Sequence, residues 1–287
     1  MEQVELGTSL KKEVMQMDQW STVRIGPEPH IAVDHMGAGE LVIFLHGVGG
    51  NKRNWDDNLA AFGEHFHAAA WDARGYGESD DYDGDLDRLD FVHDLSRVLD
   101  FFGEERAHII GLSMGGQIAM GFAEHYPDRL LTLTLCATVN GFPHLSEADR
   151  AEFVRRRKEP LVGGKEPKDI AVPVAKTLVG PKASPEAFDK LVDSISRLHK
   201  LSYIKTIESS VKSKAHTKLG EIRVPTHVMC GEEDRLSTPT IAREIAAMIP
   251  NAEVTIIPEA GHLINIERPV EFNSAALGFL LRHRKRG

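Results

Sequence analysis

The chain has 287 residues, 41% of them hydrophobic, enough apolar material for one sizeable core and near the upper length for a single domain. Lys and Arg number 34 against 43 Asp and Glu, and the formal charge of -9 argues against a general nucleic-acid surface. Cys136 and Cys230 are the only cysteines, each in or at the end of an apolar run, so a disulfide framework or a cysteine metal site has no support.

No stretch approaches the roughly 18 uninterrupted apolar residues of a membrane span, and no apolar leader stands at the start, so a soluble cytoplasmic protein is expected. Residues 1–19 carry a mixed pattern, LKKEVMQMDQ, and are set apart as an N-terminal extension without a role. From Trp20 short β-like pieces follow: STVRI, HIAVDH after Pro29, and LVIFLH over 41–46. The third is continuously apolar, as a parallel strand buried on both faces would be.

After the glycine-rich loop at 47–50, a helical segment around 54–62 leads into the strand HAAAWD, which ends at Asp72. A polar loop over 74–87 precedes the helical stretch LDFVHDLSRVLDFFG, in which Phe91, Leu95, Val98, Leu99 and Phe102 form one apolar stripe ended by Gly103. The strand AHIIG, a helix over 117–125 stopped by Pro127, and the strand LLTLTLC come next. Strands alternating with helices of this length predict an α/β sheet covered by helices on both faces.

The rhythm breaks at Asn140 and resumes near Val228. Between them lie Pro160, Pro167, Pro173, Pro181, Pro185, runs of helix formers and the basic cluster RRRK at 155–158, which predict a helical cap over 140–217. The core is therefore split into residues 20–139 and 218–287. Its second part holds the strand THVMCG, a helix over 239–248, the strand EVTIIP and a helix over 269–280, giving eight strands with the cap inserted after the sixth.

G-L-S-M-G at 111–115 fits the G-x-S-x-G nucleophile elbow, and the strand before it and helix after it supply the required context. A serine hydroxyl near its normal pKa is a weak nucleophile, so Ser113 needs a base, and the base needs an orienter. Asp234 in GEEDRLSTP and His262 in EAGHLIN follow in the order Ser, Asp, His, each just past a predicted strand end, where open α/β sheets place their sites. Glu232 and Glu233 compete with Asp234, which is preferred because a helix start with Ser237, Thr238 and Pro239 follows it.

Acyl transfer develops an oxyanion that backbone N–H donors must meet. The N–H of Met114 is one candidate, and that of Val48 in H46-G-V-G-G50 is the other. His46, His262 and nearby acids lack any spacing typical of a metal site, so no metal is assigned and no cofactor is expected. The glycine loop also lacks both nucleotide-binding patterns.

These residues resemble the α/β-hydrolase superfamily through FLHGVGG at 44–50, WDARGYGESD at 71–80, IIGLSMGG at 109–116, VMCGEEDRLSTP at 228–239 and PEAGHLINIERPVEFN at 258–273. The resemblance implies a catalytic triad of Ser113, Asp234 and His262, an oxyanion hole at Val48 and Met114, and a helical lid after the sixth strand. Within the superfamily, the G-E-E-D-x-x-x-x-P and A-G-H-L-x-N-I-E stretches look most like 3-oxoadipate enol-lactonases and related small carboxylesterases.

The expected activity is hydrolysis of a carboxylic ester or lactone through an acyl-enzyme, including an enol-lactone from aromatic catabolism. The alternatives are carbon–carbon bond hydrolysis of a dienoate and a non-catalytic binding protein on the same fold. A substrate carboxylate would want a cation. Lys52, Arg53 and the cluster from Arg155 to Lys158 are candidates, the cluster also reading as a solvated helix face, and Asn140 is a further candidate contact. The expected partner is a small ester or lactone, with no nucleic acid and no membrane; a homo-oligomer is left open.

Overall fold

Eight strands form one sheet in a computed structural model that describes residues 20–141, 146–212 and 215–284. The extension at 1–19 lies outside the described residues. The strands are β1 Ser21–Ile25, β2 Ile31–Met36, β3 Leu41–Leu45, β4 His67–Trp71, β5 Ala107–Leu112, β6 Leu130–Cys136, β7 Thr226–Gly231 and β8 Glu253–Ile257. Their order is β1-β2-β4-β3-β5-β6-β7-β8. β2 pairs antiparallel with both β1 and β4, and every other pairing is parallel.

The central strands are apolar on both faces because both are covered. All five residues of β3 are fully buried, and each such large side chain contributes roughly 1.5–3 kcal/mol. The core helices are α1 Asp56–Gly63, α2 Arg88–Phe101 and α3 Met114–His125, with α8 Pro239–Met248, the short α9 Ile264–Glu267 and α10 Pro269–Arg282 after the insertion. α1 packs against α10 and α2 against α3, two helical layers enclosing the sheet. Local signals set several ends: Asp87 caps α2, and Gly103 follows it at φ 71°, a conformation open to glycine at little steric cost.

Between β6 and β7 the chain forms four helices, α4 Glu147–Val162, α5 Pro167–Leu178, α6 Pro185–Ser196 and α7 Lys200–Ser210. Ser146 and Ser184 accept capping bonds at the starts of α4 and α6, and Pro167 and Pro185 occupy first helical positions. Pro160 and Pro173 lie inside helices instead of between them. α5 packs on α6, and α4 on α7.

The register fixes where function can gather. Leu45 is level with Gly111, Leu112 with Cys136, Cys136 with Met229, and Gly231 with Ile257. The loops leaving β3, β5, β7 and β8 therefore start from one edge of the sheet, the carboxyl edge where such folds place their sites. Among the described residues no helix is long and apolar enough to cross a membrane.

Candidate active site

Ser113 stands between the end of β5 and the start of α3 with φ 56° and ψ -112°, a conformation that costs a non-glycine residue about 1–3 kcal/mol. Surrounding bonds hold it there. Its N–H donates to Cys136 O at 2.8 Å, and its carbonyl accepts from Thr138 Oγ1 at 2.7 Å and from the Gln117 N–H at 3.2 Å. Small neighbours are needed for close passage: a Cβ on Gly111 would meet Gly115 O at 2.2 Å, and one on Gly115 would meet Leu45 O at 2.2 Å. The elbow thus follows from glycines that let β5, α3 and the end of β3 approach one another.

Asp234 and His262 meet at the same edge. His262 Nδ1 lies 2.9 Å from Asp234 Oδ2, while Asp234 Oδ1 accepts from the N–H groups of Leu236 and Ser237 at 2.8 and 3.0 Å. Burial alone would raise the Asp234 carboxyl, but the bond to His262 and the two N–H donors outweigh it and hold it below the ordinary value. Both side chains are buried. Glu232 and Glu233 are exposed, and Glu232 binds the Glu259 N–H instead.

The histidine loop is fastened by a residue that sequence reading passed over. Buried Glu267, on α9, accepts from Gly261 N at 2.9 Å, Leu263 N at 3.0 Å and Gly180 N at 2.9 Å. One carboxylate therefore ties both flanks of His262 to the cap, whose Leu178 carbonyl also accepts from His262 N at 3.0 Å. Its place in the I-E-R-P stretch, five residues after His262, was the available signal. Charge-assisted bonds of this kind exceed neutral ones, so Glu267→Gln, which cannot accept at all three donors, is expected to cost about 2–4 kcal/mol. Thermal unfolding should show it as a midpoint lowered by roughly 5–12 °C.

Val48 and Met114 line one cavity together with Ser113 and His262. Among the described residues neither the Val48 nor the Met114 N–H is donated to another backbone group, so both donors are free. His46 does not offer a metal ligand: Nδ1 donates to Gly47 O at 2.8 Å and Nε2 accepts from Ala73 N at 3.0 Å. Burial brings its pKa down to about 4, so the ring is neutral and serves to brace the loop that carries Val48.

The cavity measures about 490 Å³. Core residues of the carboxyl edge form its floor, and Phe153, Leu178, Leu198 and Tyr203 from the cap and its linkers form its apolar roof. A second space of about 20 Å³, room for roughly one water, lies beside Ser113, His262, Asn54 and Asn265.

Two expected substrate contacts are corrected. Lys52 is buried, its Nζ 2.8 Å from both Asp34 carboxylate oxygens, while its own N–H binds Asp72 at 2.7 Å. Arg53 is half exposed and pairs with Asp193 at 3.3 Å. Neither lines the cavity, because the turn at Lys52–Trp55 directs them away from it. Asn140 does line it, and also clamps His216 with both amide atoms, accepting from its N at 2.7 Å and donating to its O at 3.1 Å.

The basic cluster divides. Arg155 and Arg156 are exposed and bind Glu152, Lys158 binds Glu208, but Arg157 turns inward to line the cavity. Arg88, at the first position of α2, lines it too and was not anticipated from the sequence.

The chain matches the model of the family described as Alpha/beta hydrolase family over residues 42–275. It is 30% identical over 275 residues to a 2-hydroxy-6-oxononadienedioate/2-hydroxy-6-oxononatrienedioate hydrolase of Cupriavidus pinatubonensis, spanning 90% of this chain and 93% of that protein. A thermophilic esterase from Thermogutta terrifontis superposes with a TM-score of 0.83 at 25% identity, over 93% of this chain and all of that one. The enol-lactonase from Burkholderia xenovorans superposes with a TM-score of 0.82 at 22% identity over 91% of this chain and all of its own, a likeness of fold. With the eight-stranded sheet, the helical insertion after β6 and a family match across most of its length, this chain belongs to the α/β-hydrolase family.

Proposed function

We propose that the chain is a serine-dependent hydrolase acting on a small dienoate, in which Ser113 attacks a ketone carbonyl and a carbon–carbon bond breaks. The observation that carries hydrolysis is His262, bonded to Asp234 and facing the same 490 Å³ cavity as Ser113. The choice of bond is supported by the relative at 30% identity, named for a dienedioate substrate. That relative favours carbon–carbon cleavage over the ester or lactone that the motifs put first.

With Nδ1 held by Asp234, Nε2 of His262 is the ring nitrogen left to accept the Ser113 proton. The enol end of the substrate first ketonises, a proton moving from oxygen to carbon. Ser113 Oγ then adds to the remote ketone while His262 takes its proton, and the oxyanion meets the Val48 and Met114 N–H groups. Collapse breaks the carbon–carbon bond, and the electron pair leaves as an enolate that takes up the proton from His262. Water, deprotonated by His262, finally hydrolyses the acyl-serine.

An ester or lactone would follow the same course with an oxygen leaving group, a second reading favoured by the superposed esterase. A spectrophotometric comparison of a 2-hydroxy-6-oxodienoate, an enol-lactone and a 4-nitrophenyl ester separates them. The dienoate is expected to give kcat/KM of about 10⁴ M⁻¹s⁻¹ or more, at least about tenfold above either oxygen ester. The reverse order would return the assignment to ester or lactone hydrolysis.

A further inference from the structure

We propose that Arg88, held by Gln117 in a cavity that Arg157 also lines, forms a carboxylate-binding subsite, so that the substrate carries an anionic group apart from the bond that breaks. The inference rests on Ser113 marking the reacting end of that cavity. Arg88 Nη2 donates to Gln117 Oε1 at 2.6 Å. Gln117 lies one helical turn after Ser113, a rise of about 6 Å along α3. Arg88 is thereby anchored to the helix that carries the serine, with its other donors uncommitted to any carboxylate.

Arg88 and Arg157 are both half-buried. A cation partly withdrawn from water loses solvation that an anion would restore. Among the described residues no carboxylate lies within ion-pair distance of Arg88 or Arg157, whereas Arg74, Arg97, Arg129 and Arg155 each have one. Arg88 also sits at the first position of α2, the end where the helix dipole disfavours positive charge. Burial pulls its pKa down to about 10, still far above neutrality, so the group stays charged.

Arg157 reaches the cavity from the cap. Its guanidinium lies 3.7 Å from the centroid of the Phe153 ring and donates to Phe153 O at 3.3 Å. Arg88 and Arg157 both line this cavity, Arg88 from the core and Arg157 from the cap. Among the described residues the other charged side chains that line it are exposed Arg235 and Glu244. In a chain of net charge -9 the described residues thus line the cavity with three arginines and one carboxylate, a field that attracts anions. A guanidinium fork matches a carboxylate, and the apolar residues that share the cavity, Leu198, Ile207 and Ile245 among them, suit a short carbon chain.

The test uses 4-nitrophenyl hydrogen adipate and its methyl ester, equal in reacting group and different in terminal charge. The wild-type protein is expected to hydrolyse the acid with kcat/KM about tenfold or more above the methyl ester. Arg88→Gln should erase that preference mainly through KM and leave the neutral ester within about threefold, and Arg88→Lys should restore part of it. An equal loss on both esters would mean that Arg88 only braces α3, and no preference in the wild type would remove the subsite.

Calorimetric binding of adipate and dimethyl adipate needs no turnover. Adipate binding that disappears in Arg88→Gln supports the subsite even in a protein inert toward both esters, and a protein that also leaves the dienoate intact and Ser113 unlabelled by a fluorophosphonate sinks the Ser113 reading. Labelling of Ser113 by a fluorophosphonate without adipate binding has the opposite meaning.

Discussion

Ser113→Ala is expected to lower kcat by about 10⁴-fold or more on the best substrate and to abolish fluorophosphonate labelling, with the thermal midpoint little changed. The proposed acyl-enzyme requires an oxygen at Cβ of residue 113, and the neighbouring Thr138 hydroxyl is engaged on the Ser113 carbonyl. The remaining machinery, His262 on Asp234 and two backbone donors, can still polarise a carbonyl and activate water, which sets the residual rate. Stability should survive because the bonds at residue 113 are made by its backbone: N to Cys136 O, and O to Thr138 and Gln117. Wild-type turnover by a contamination-free alanine variant would end the nucleophile proposal.

Gly115→Ala is expected to have the largest effect on stability. A Cβ there would stand 2.2 Å from Leu45 O and 2.8 Å from Leu45 Cβ, both on the fully buried β3, which cannot retreat without breaking its pairing with β4 and β5. The helix gains a little propensity from alanine, about 1 kcal/mol, while overpacking a rigid backbone costs about 3 kcal/mol or more. The net result should be a midpoint lowered by roughly 5–10 °C or insoluble expression, read by calorimetry and by the soluble fraction. Gly164→Ala is the matched control: an added Cβ meets nothing within 4 Å, although φ 99° leaves some backbone strain. If Gly115→Ala proved as stable as that control, the close passage of α3 and β3 would be wrong.

Most strands were legible because each is a short apolar run bounded by turn residues, and their pattern survives in one dimension; β1, STVRI, was legible from its β-forming residues instead. Boundaries were less so. α3 begins at Met114, not at Gln117, because Gly115 and Gly116 read locally as a loop, yet tertiary packing needs residues without side chains there. The short helix α9 escaped notice since four residues carry no period.

The site divides in the same way. Ser113, Asp234 and His262 stand at strand ends, so their convergence could be anticipated from strand order alone; the pairing of Asp234 with His262, in place of Glu232 or Glu233, needed the fold of the turn. Lys52 and Arg157 show the limit most clearly. Both are cations near plausible positions, but one is buried on Asp34 while the other faces the cavity, and no local pattern distinguishes them.

By itself the sequence determined what depends on neighbours along the chain: strand and helix type, the strained serine turn, and the order of the reactive residues. Only the tertiary structure decided which charges lost or kept a partner, because that depends on groups far apart in sequence. Glu267 gathers N–H donors from residues 180, 261 and 263, and Arg88 meets Gln117 from 29 residues away. Solvation makes those pairings energetic facts, and solvation is set by the packed surface rather than by the string of residues.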